Sequence, residues 1–213
     1  MSNDNSDLLK RLDSHIEKMG QIFQTASKNY FWIEEDLRGT LFSLIQQDKA
    51  FSCQIANVAI PLVHAQYPTK LSNTQHYDLA VLDESATKWV VEKKSLGGLP
   101  ANDIPESKVK LITAIEMKYL YSSTDVAQKL DSIESKDIDK LSNNKEQFLE
   151  GTHNYELIFV LTKYAGRNVY DYDEVIRCLE IYVEKWKRKT NLDVYCFPDN
   201  LDQLPYSWKM QAK

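Results

Sequence analysis

Apolar residues recur at a spacing of three or four along four stretches of the chain, which predicts four helices. The first is an amphipathic helix over residues 5–28, and the second begins near Tyr30 and reaches Ile45. A polar stretch with sparse apolar contacts, 122–145, is also predicted to be helical, and residues 172–189 form the fourth helix. The stripe of the first helix consists of Leu9, Leu12, Ile16, Met19 and Phe23. The stripe is expected to pack against the rest of the same chain, and the alternative is a contact in a homodimer.

Shorter apolar runs predict strands between these helices. They lie at residues 62–67, 76–83, 110–120, 155–162 and 192–197, and the last is stopped by Pro198. Residues 88–92 are predicted as a further short strand after a turn at 83–85. Residues 51–61 are expected to be a helix end or a loop, and 96–108 a loop because glycine and proline cluster there. This alternation of helices and strands predicts an α/β fold.

One predicted strand carries two opposite charges inside an apolar run, Ile115-Glu116-Met117-Lys118-Tyr119. Because side chains alternate between the faces of a strand, Glu116 and Lys118 share one face and the three apolar residues share the other. A solvated face with a surface ion pair is one explanation. The other is a functional site, because charges on a buried strand are costly unless a metal ion or a phosphate uses them.

Two further acids occupy informative positions. Glu34 lies in the acidic first turn of the second helix, at the edge of its inward-facing stripe, whereas Glu35 aligns with Gly39. Asp78 lies at the start of the second predicted strand. A structural role is open for each: acids favour helix starts, and an aspartate can cap a turn.

Composition narrows the class of protein. The 213 residues suffice for one large domain, here divided into an N-terminal helix at 1–28 and a domain at 29–213. The three cysteines form no CxxC pair and the first residues are polar, which favours the cytoplasm, and no apolar run suits a membrane. The net charge of −5 counts against a passive nucleic-acid binder. It does not exclude a nuclease, because metal ions held by carboxylates restore positive charge.

Taken in order, these acids and the lysine resemble the PD-(D/E)xK nuclease superfamily, the restriction-endonuclease-like fold. The resemblance rests on Glu34 in Trp32-Ile33-Glu34-Glu35, on Asp78 in Tyr77-Asp78-Leu79, and on Glu116-Met117-Lys118. It covers residues 30 to 197. Tyr77 stands where the family has its name-giving proline, and the long interval between Asp78 and Glu116 predicts an inserted hairpin or loop at 84–109.

The resemblance implies an αβββαβ core, with a mixed sheet of four to five strands flanked by helices and an extra N-terminal helix. It also implies a hydrolase that cleaves phosphodiester bonds, here a DNA endonuclease in restriction, phage defence or repair. Asp78, Glu116, Glu34 and the main-chain carbonyl of Met117 would bind Mg²⁺ or Mn²⁺, and Lys118 would complete the catalytic set. A non-catalytic binding or interaction module on the same fold is the alternative.

Overall fold

The computed structural model describes residues 2–26, 32–69, 72–94, 110–122 and 125–209. Its helices are α1 (Ser2–Ala26), α2 (Glu34–Gln47), α3 (Glu84–Lys94), α4 (Val126–Ile133), α5 (Asp139–Asn143) and α6 (Tyr172–Lys189). A π-helical turn, Glu134–Ile138, joins α4 to α5, so these three pieces form one continuous helical segment. The strands are β1 (Ser52–Ile55), β2 (Val58–Pro61), β3 (Val63–Thr69), β4 (Ser72–Leu82), β5 (Leu111–Leu120), β6 (Asn154–Val160), β7 (Lys163–Tyr164), β8 (Arg167–Asn168), β9 (Leu192–Pro198) and β10 (Tyr206–Trp208).

Six of these strands form one mixed sheet in the order β10-β9-β6-β5-β4-β3. The strands β5, β6 and β9 are parallel, β4 and β10 pair with their outer edges antiparallel, and β3 pairs antiparallel with β4. The helical crossovers that parallel neighbours require are α4 to α5 and α6. Strand β6 is buried along its whole length, as expected for a central strand covered on both faces.

Helices cover both faces of the sheet and form two hydrophobic cores. Helices α1 and α2 pack on the face that carries Ile115, Met117 and Tyr119. The segment from α4 to α5 packs with α6 on the opposite face, together with Ala114 and Ile158. The α/β class is therefore confirmed, with six strands in the main sheet instead of four to five.

Helix α1 belongs to the first core. All five residues of its apolar stripe are at most 7% exposed, so the stripe is occupied by the chain's own sheet. Gly20 permits the close approach, because a Cβ atom at this position would lie 2.2 Å from Cε1 of the buried Phe197 ring.

Three predictions about secondary structure are wrong. Residues 52–61 form the antiparallel hairpin β1–β2, because Ala56 and Asn57 adopt the positive φ angles of a two-residue turn. Residues 88–92 lie in helix α3. Asp83 directly precedes this helix and caps it, because its carboxylate accepts a hydrogen bond from the Ser85 N–H. The strand β9 includes Pro198, and β10 follows it, so 192–197 is not the last strand.

The other predicted elements agree with the sequence patterns within four residues, whereas the short strands β7 and β8 were not predicted. The predicted helix at 172–189 has the observed bounds of α6, and β5 begins one residue after its predicted start. The predicted insertion at 84–109 contains α3, and the loop predicted at 96–108 lies outside the described residues. Within the parts of the chain that are described, no helix has both the length and the apolar character needed to cross a membrane.

Candidate functional site

Strands β4 and β5 pair over only part of their length. Their ladder runs from Leu82 opposite Leu111 to Leu79 opposite Ile115, whereas β5 continues to Leu120 alongside β6. Beyond Leu79 the two strands part. We call this opening, bounded by Tyr77–Asp78 of β4 and 116–120 of β5, the β4–β5 fork.

The alternation of β4 is interrupted where the fork begins. Residues i and i+2 of a regular strand share a face. Here Tyr77 packs in the core under α4 and α6, whereas Leu79 packs in the core under α1 and α2, on the opposite face of the sheet. In the neighbouring β3, Gln66 has a φ of 52°, which marks the same irregularity. The side chain of Asp78 is thereby turned toward the edge of β5.

Asp78 meets β5 and α2 directly. Its Oδ2 accepts a hydrogen bond of 2.9 Å from the Met117 N–H, and its Oδ1 lies 3.2 Å from the Arg38 guanidinium. Because a strand residue directs its N–H and C=O to the same edge, the Met117 carbonyl also faces the fork. The structure therefore brings Asp78 to the Glu116-Met117-Lys118 segment across the long sequence interval.

Glu34 reaches the fork from the first turn of α2. Its Oε1 lies 3.4 Å from Nζ of Lys118, and its Oε2 accepts a 3.4 Å hydrogen bond from the Tyr119 N–H. Burial raises the pKa of the Glu34 carboxyl, although the Lys118 charge opposes that shift. Glu35 is exposed on the other side of α2, so Glu34 is the helix acid that faces β5.

Glu116 lies at the floor of the fork and is 1% exposed, so the solvated surface pair that the sequence left open is wrong. Its Oε1 lies 2.7 Å from Nζ of Lys140 in α5, and the Lys140 ammonium also donates to the His76 carbonyl. Burial raises the pKa of Glu116 well above its usual range, although Lys140 opposes the shift. This acid is therefore held in a dry environment with one cationic partner.

Lys118 is surrounded by acids. Its Nζ lies 3.3 Å from Asp137 Oδ2 and 3.4 Å from Glu34 Oε1. Burial disfavours the ammonium, but the carboxylates of Asp137, Glu156 and Glu34 outweigh burial and raise the pKa of Lys118. Lys118 is consequently a permanent cation at neutral pH.

Four residues of this cluster were not singled out from the sequence as site residues: Arg38, Asp137, Lys140 and Glu156. Asp137 lies in the π-helical turn, and burial raises the pKa of its carboxyl. Such turns are frequent at functional sites, but their extra residue leaves no simple periodic signal. The best available signal was the charge pattern Asp137-Ile138-Asp139-Lys140 in a helix that follows the charged strand.

Glu156 is the least expected member. It lies opposite Glu116 in the parallel β5–β6 ladder, is fully buried, and neither of its carboxylate oxygens has a hydrogen-bond partner among the described residues. Burial raises its pKa well above the usual range, and Asp137 and Glu116 add to the shift. Its run, Tyr155-Glu156-Leu157-Ile158, is predicted correctly as a strand, but only the fold reveals that Glu156 stands beside Glu116.

Among the described residues, the cluster contains five carboxylates and three cations: Glu34, Asp78, Glu116, Asp137 and Glu156 against Arg38, Lys118 and Lys140. Solvent reaches it from one side. The side chains of Glu34 and Lys118 are 36% and 24% exposed, whereas that of Glu116 is 1% exposed. A ligand would therefore meet Glu34 and Lys118 first.

Replacing Glu156 with glutamine should flatten the dependence of stability on pH. Because the folded-state pKa is raised above the unfolded value, the stabilising contribution is complete below about pH 4.5 and is lost as the pH rises through the folded pKa. In EDTA, we expect Glu156→Gln to exceed the wild type in free energy of unfolding by about 1–3 kcal/mol at about pH 8, with a smaller difference near pH 5. Urea unfolding across this range measures it.

Glu180→Gln, at an exposed position of α6, is the matched control and should leave the pH profile unchanged. Parallel profiles for the wild type and Glu156→Gln would contradict the raised pKa.

A second cluster lies at the amino ends of β6 and β9, on the α1 side of the sheet. Ligand atoms of Asp13, His153 and Asp193 lie within 4.8 Å of one another, a spacing that suits a metal ion. Internal bonds also explain this cluster: Asp13 accepts from the Tyr195 hydroxyl at 2.9 Å and lies 3.1 Å from Nζ of Lys209. Among the described residues, Asp78, Glu116 and Glu34 do not meet the same spacing.

Comparison with known proteins identified no relative of this chain. No family model, no curated protein and no solved structure matches the chain.

Proposed function

We propose that the chain is a Mg²⁺- or Mn²⁺-dependent nuclease that hydrolyses phosphodiester bonds of nucleic acid, with DNA as the expected substrate, on a restriction-endonuclease-like core. The observation that carries the proposal is the β4–β5 fork. It gathers an acid from α2, an acid from β4, and an acid and a lysine from β5 into one cluster with direct contacts between the three elements. These are the four residues on which the sequence resemblance rests.

The donor set suits a hard divalent cation. Carboxylate and main-chain carbonyl oxygens are the ligands that Mg²⁺ prefers, and Asp78, Glu116, Glu34 and the Met117 carbonyl supply them. Arg38 already lies against the Asp78 carboxylate, and Lys140 against that of Glu116. The described carboxylates of the cluster nevertheless outnumber its described cations by two, which leaves negative charge for a metal ion to neutralise. When bound, the ion supplies polarisation of the scissile phosphate and a water of lowered pKa.

The protein groups divide the remaining work. Lys118, a permanent cation facing solvent, binds a non-bridging phosphate oxygen and stabilises the negative charge that develops there. It holds its proton too tightly to act as a general base. Glu34, at the solvent side of the cluster, orients the attacking water with its carboxylate. Arg38 holds the Asp78 carboxylate toward β5.

Cleavage of plasmid and of single- and double-stranded oligonucleotides in Mg²⁺ or Mn²⁺ tests the proposal. We expect Asp78→Asn and Glu116→Gln to lose about 10³-fold or more in rate, because each removes a charged metal ligand. His153→Ala, in the second cluster, is the control and should retain the wild-type rate. If the wild type is as inert as both variants on every DNA and RNA form, the proposal fails.

A non-catalytic binding module is the second candidate function. It is favoured by the ion pairs Asp78–Arg38 and Glu116–Lys140, which stabilise the fork without a metal ion. Calorimetric titration with Mn²⁺ separates the two. A nuclease should give binding heat that Asp78→Asn and Glu116→Gln remove and His153→Ala preserves, whereas a module should give no heat that depends on the fork.

A further inference from the structure

A short hairpin follows the central strand β6 and presents a distinctive set of side chains. Strands β7 and β8 are antiparallel and pair Lys163 with Asn168 and Tyr164 with Arg167. The connecting Ala165 and Gly166 have φ angles of 49° and 77°, the values of the tight two-residue turn that matches strand twist. The hairpin therefore holds its side chains in a defined arrangement.

Hydrogen bonds fix the base of this hairpin to the end of β5. On the incoming side, the Leu161 N–H donates to the Leu120 carbonyl at 2.9 Å. On the outgoing side, the Tyr170 hydroxyl donates to the Ser122 carbonyl just beyond β5, while the Val169 N–H donates to the Thr162 carbonyl at 2.8 Å and closes the base of the hairpin. Because Leu120 is two residues beyond Lys118, the hairpin lies next to the carboxyl end of β5, the end toward which the fork opens.

The hairpin is basic and aromatic. Lys163, Tyr164 and Arg167 are all exposed, and residues 163–168 contain no acid, in a chain whose net charge is −5. The Tyr164 side chain is 57% exposed. On the β5 side of the same junction, Tyr121 is 55% exposed, and its ring lies 5.5 Å from that of Tyr119, which supports it. Two exposed aromatic rings and two cations thus border one end of the fork.

We infer that the β7–β8 hairpin, together with Tyr121, binds an unpaired stretch of nucleic acid and guides it into the β4–β5 fork. Tyr164 and Tyr121 stack on bases, and Lys163 and Arg167 bind the flanking phosphates. Aromatic platforms combined with local positive charge are the features by which proteins hold single strands, whose base faces are free. A duplex hides those faces and needs a wider basic surface. The inference rests on the proposed function for the choice of ligand class.

Fluorescence anisotropy with labelled single-stranded and duplex DNA of equal length, in EDTA so that no cleavage occurs, tests the inference. We expect tighter binding of the single strand, and we expect Tyr164→Ala to weaken it about 5- to 150-fold. Lys163→Ala and Arg167→Ala should each lower the slope of log affinity against log salt by about 0.7, because each removes one phosphate contact.

Arg188→Ala is the matched control. Arg188 is exposed near the end of α6, at the amino end of β9, and hence at the opposite end of the parallel strands from the hairpin. It should leave affinity and salt slope unchanged. Hairpin variants that bind as tightly as the wild type, a wild type that prefers duplex, or a wild type that binds neither form would each overturn the inference.

Cleavage assays keep the inference separate from the proposed function. If the function is right and the inference wrong, Tyr164→Ala cleaves a short single strand with unchanged KM. If the hairpin binds single strands but Mg²⁺ and Mn²⁺ support no cleavage by the wild type, the inference stands and the proposed hydrolysis fails.

Discussion

Lys118→Met is expected to lower kcat for phosphodiester cleavage about 10²- to 10³-fold, because a preorganised cation that meets developing charge contributes about this much. The substitution keeps most of the side-chain volume and removes the charge. Mn²⁺ affinity should be preserved or increased, since one cation leaves a cluster that already has more carboxylates than cations. Single-turnover cleavage and calorimetric titration measure the two quantities.

Lys118→Arg is the companion variant. It retains the charge next to Asp137 and Glu34 and should recover part of the lost kcat, which a purely structural role for Lys118 would not predict. Thermal unfolding of both variants shows whether each is folded. A folded Lys118→Met enzyme with wild-type kcat would remove Lys118 from the reaction.

The second large effect concerns α1. Phe23 is fully buried, and its ring contacts the rings of Trp32, Tyr119 and Phe159 with centroids 5.1–6.3 Å apart. We expect Phe23→Ala to lower the free energy of unfolding by about 3–5 kcal/mol, because it leaves a cavity between α1 and the sheet. A large part of the stability of a domain is lost by such a change.

Lys18→Ala, on the exposed side of α1, is the matched control and should change stability by less than about 0.5 kcal/mol. Urea unfolding gives both values. A loss below about 1 kcal/mol for Phe23→Ala would mean that α1 docks only weakly on the sheet. In that case, the chain without residues 2–26 should remain folded, and sedimentation velocity would report its oligomeric state.

The spacing of apolar residues is sufficient to predict an element where burial is the dominant interaction. The buried face of α6 and the uniformly buried β6 are predicted with nearly the observed bounds, because burial dominates both. The hairpin β1–β2 was missed because it depends on the positive φ angles of Ala56 and Asn57, which neither residue type requires. Helix α3 was missed because Lys88-Trp89-Val90-Val91-Glu92 has an apolar centre that fits a strand equally well.

The same distinction applies to the candidate site. Glu116 and Lys118 are apparent from the sequence because charges interrupt an apolar strand. Glu156 is as buried as Glu116, but its significance depends on the register between β5 and β6, which is a tertiary property. Lys140 and Asp137 reach the fork only because the π-helical turn sets the phase of α5 relative to α4. Local sequence carries no direct signal for such a phase.

The parting of β4 from β5 has a consequence for how this protein can change over evolutionary time. Beyond Ile115, the N–H groups of Met117 and Tyr119 have no β4 neighbour, and the carboxylates of Asp78 and Glu34 accept from them instead. An uncovered strand edge invites pairing with another chain and aggregation. These two acids therefore cover the open edge of β5 against pairing with another chain, in addition to any chemistry at the fork. If the proposed function is right, a related protein that had lost cleavage would still need both acids for this structural role, whereas Lys118 would be free to change.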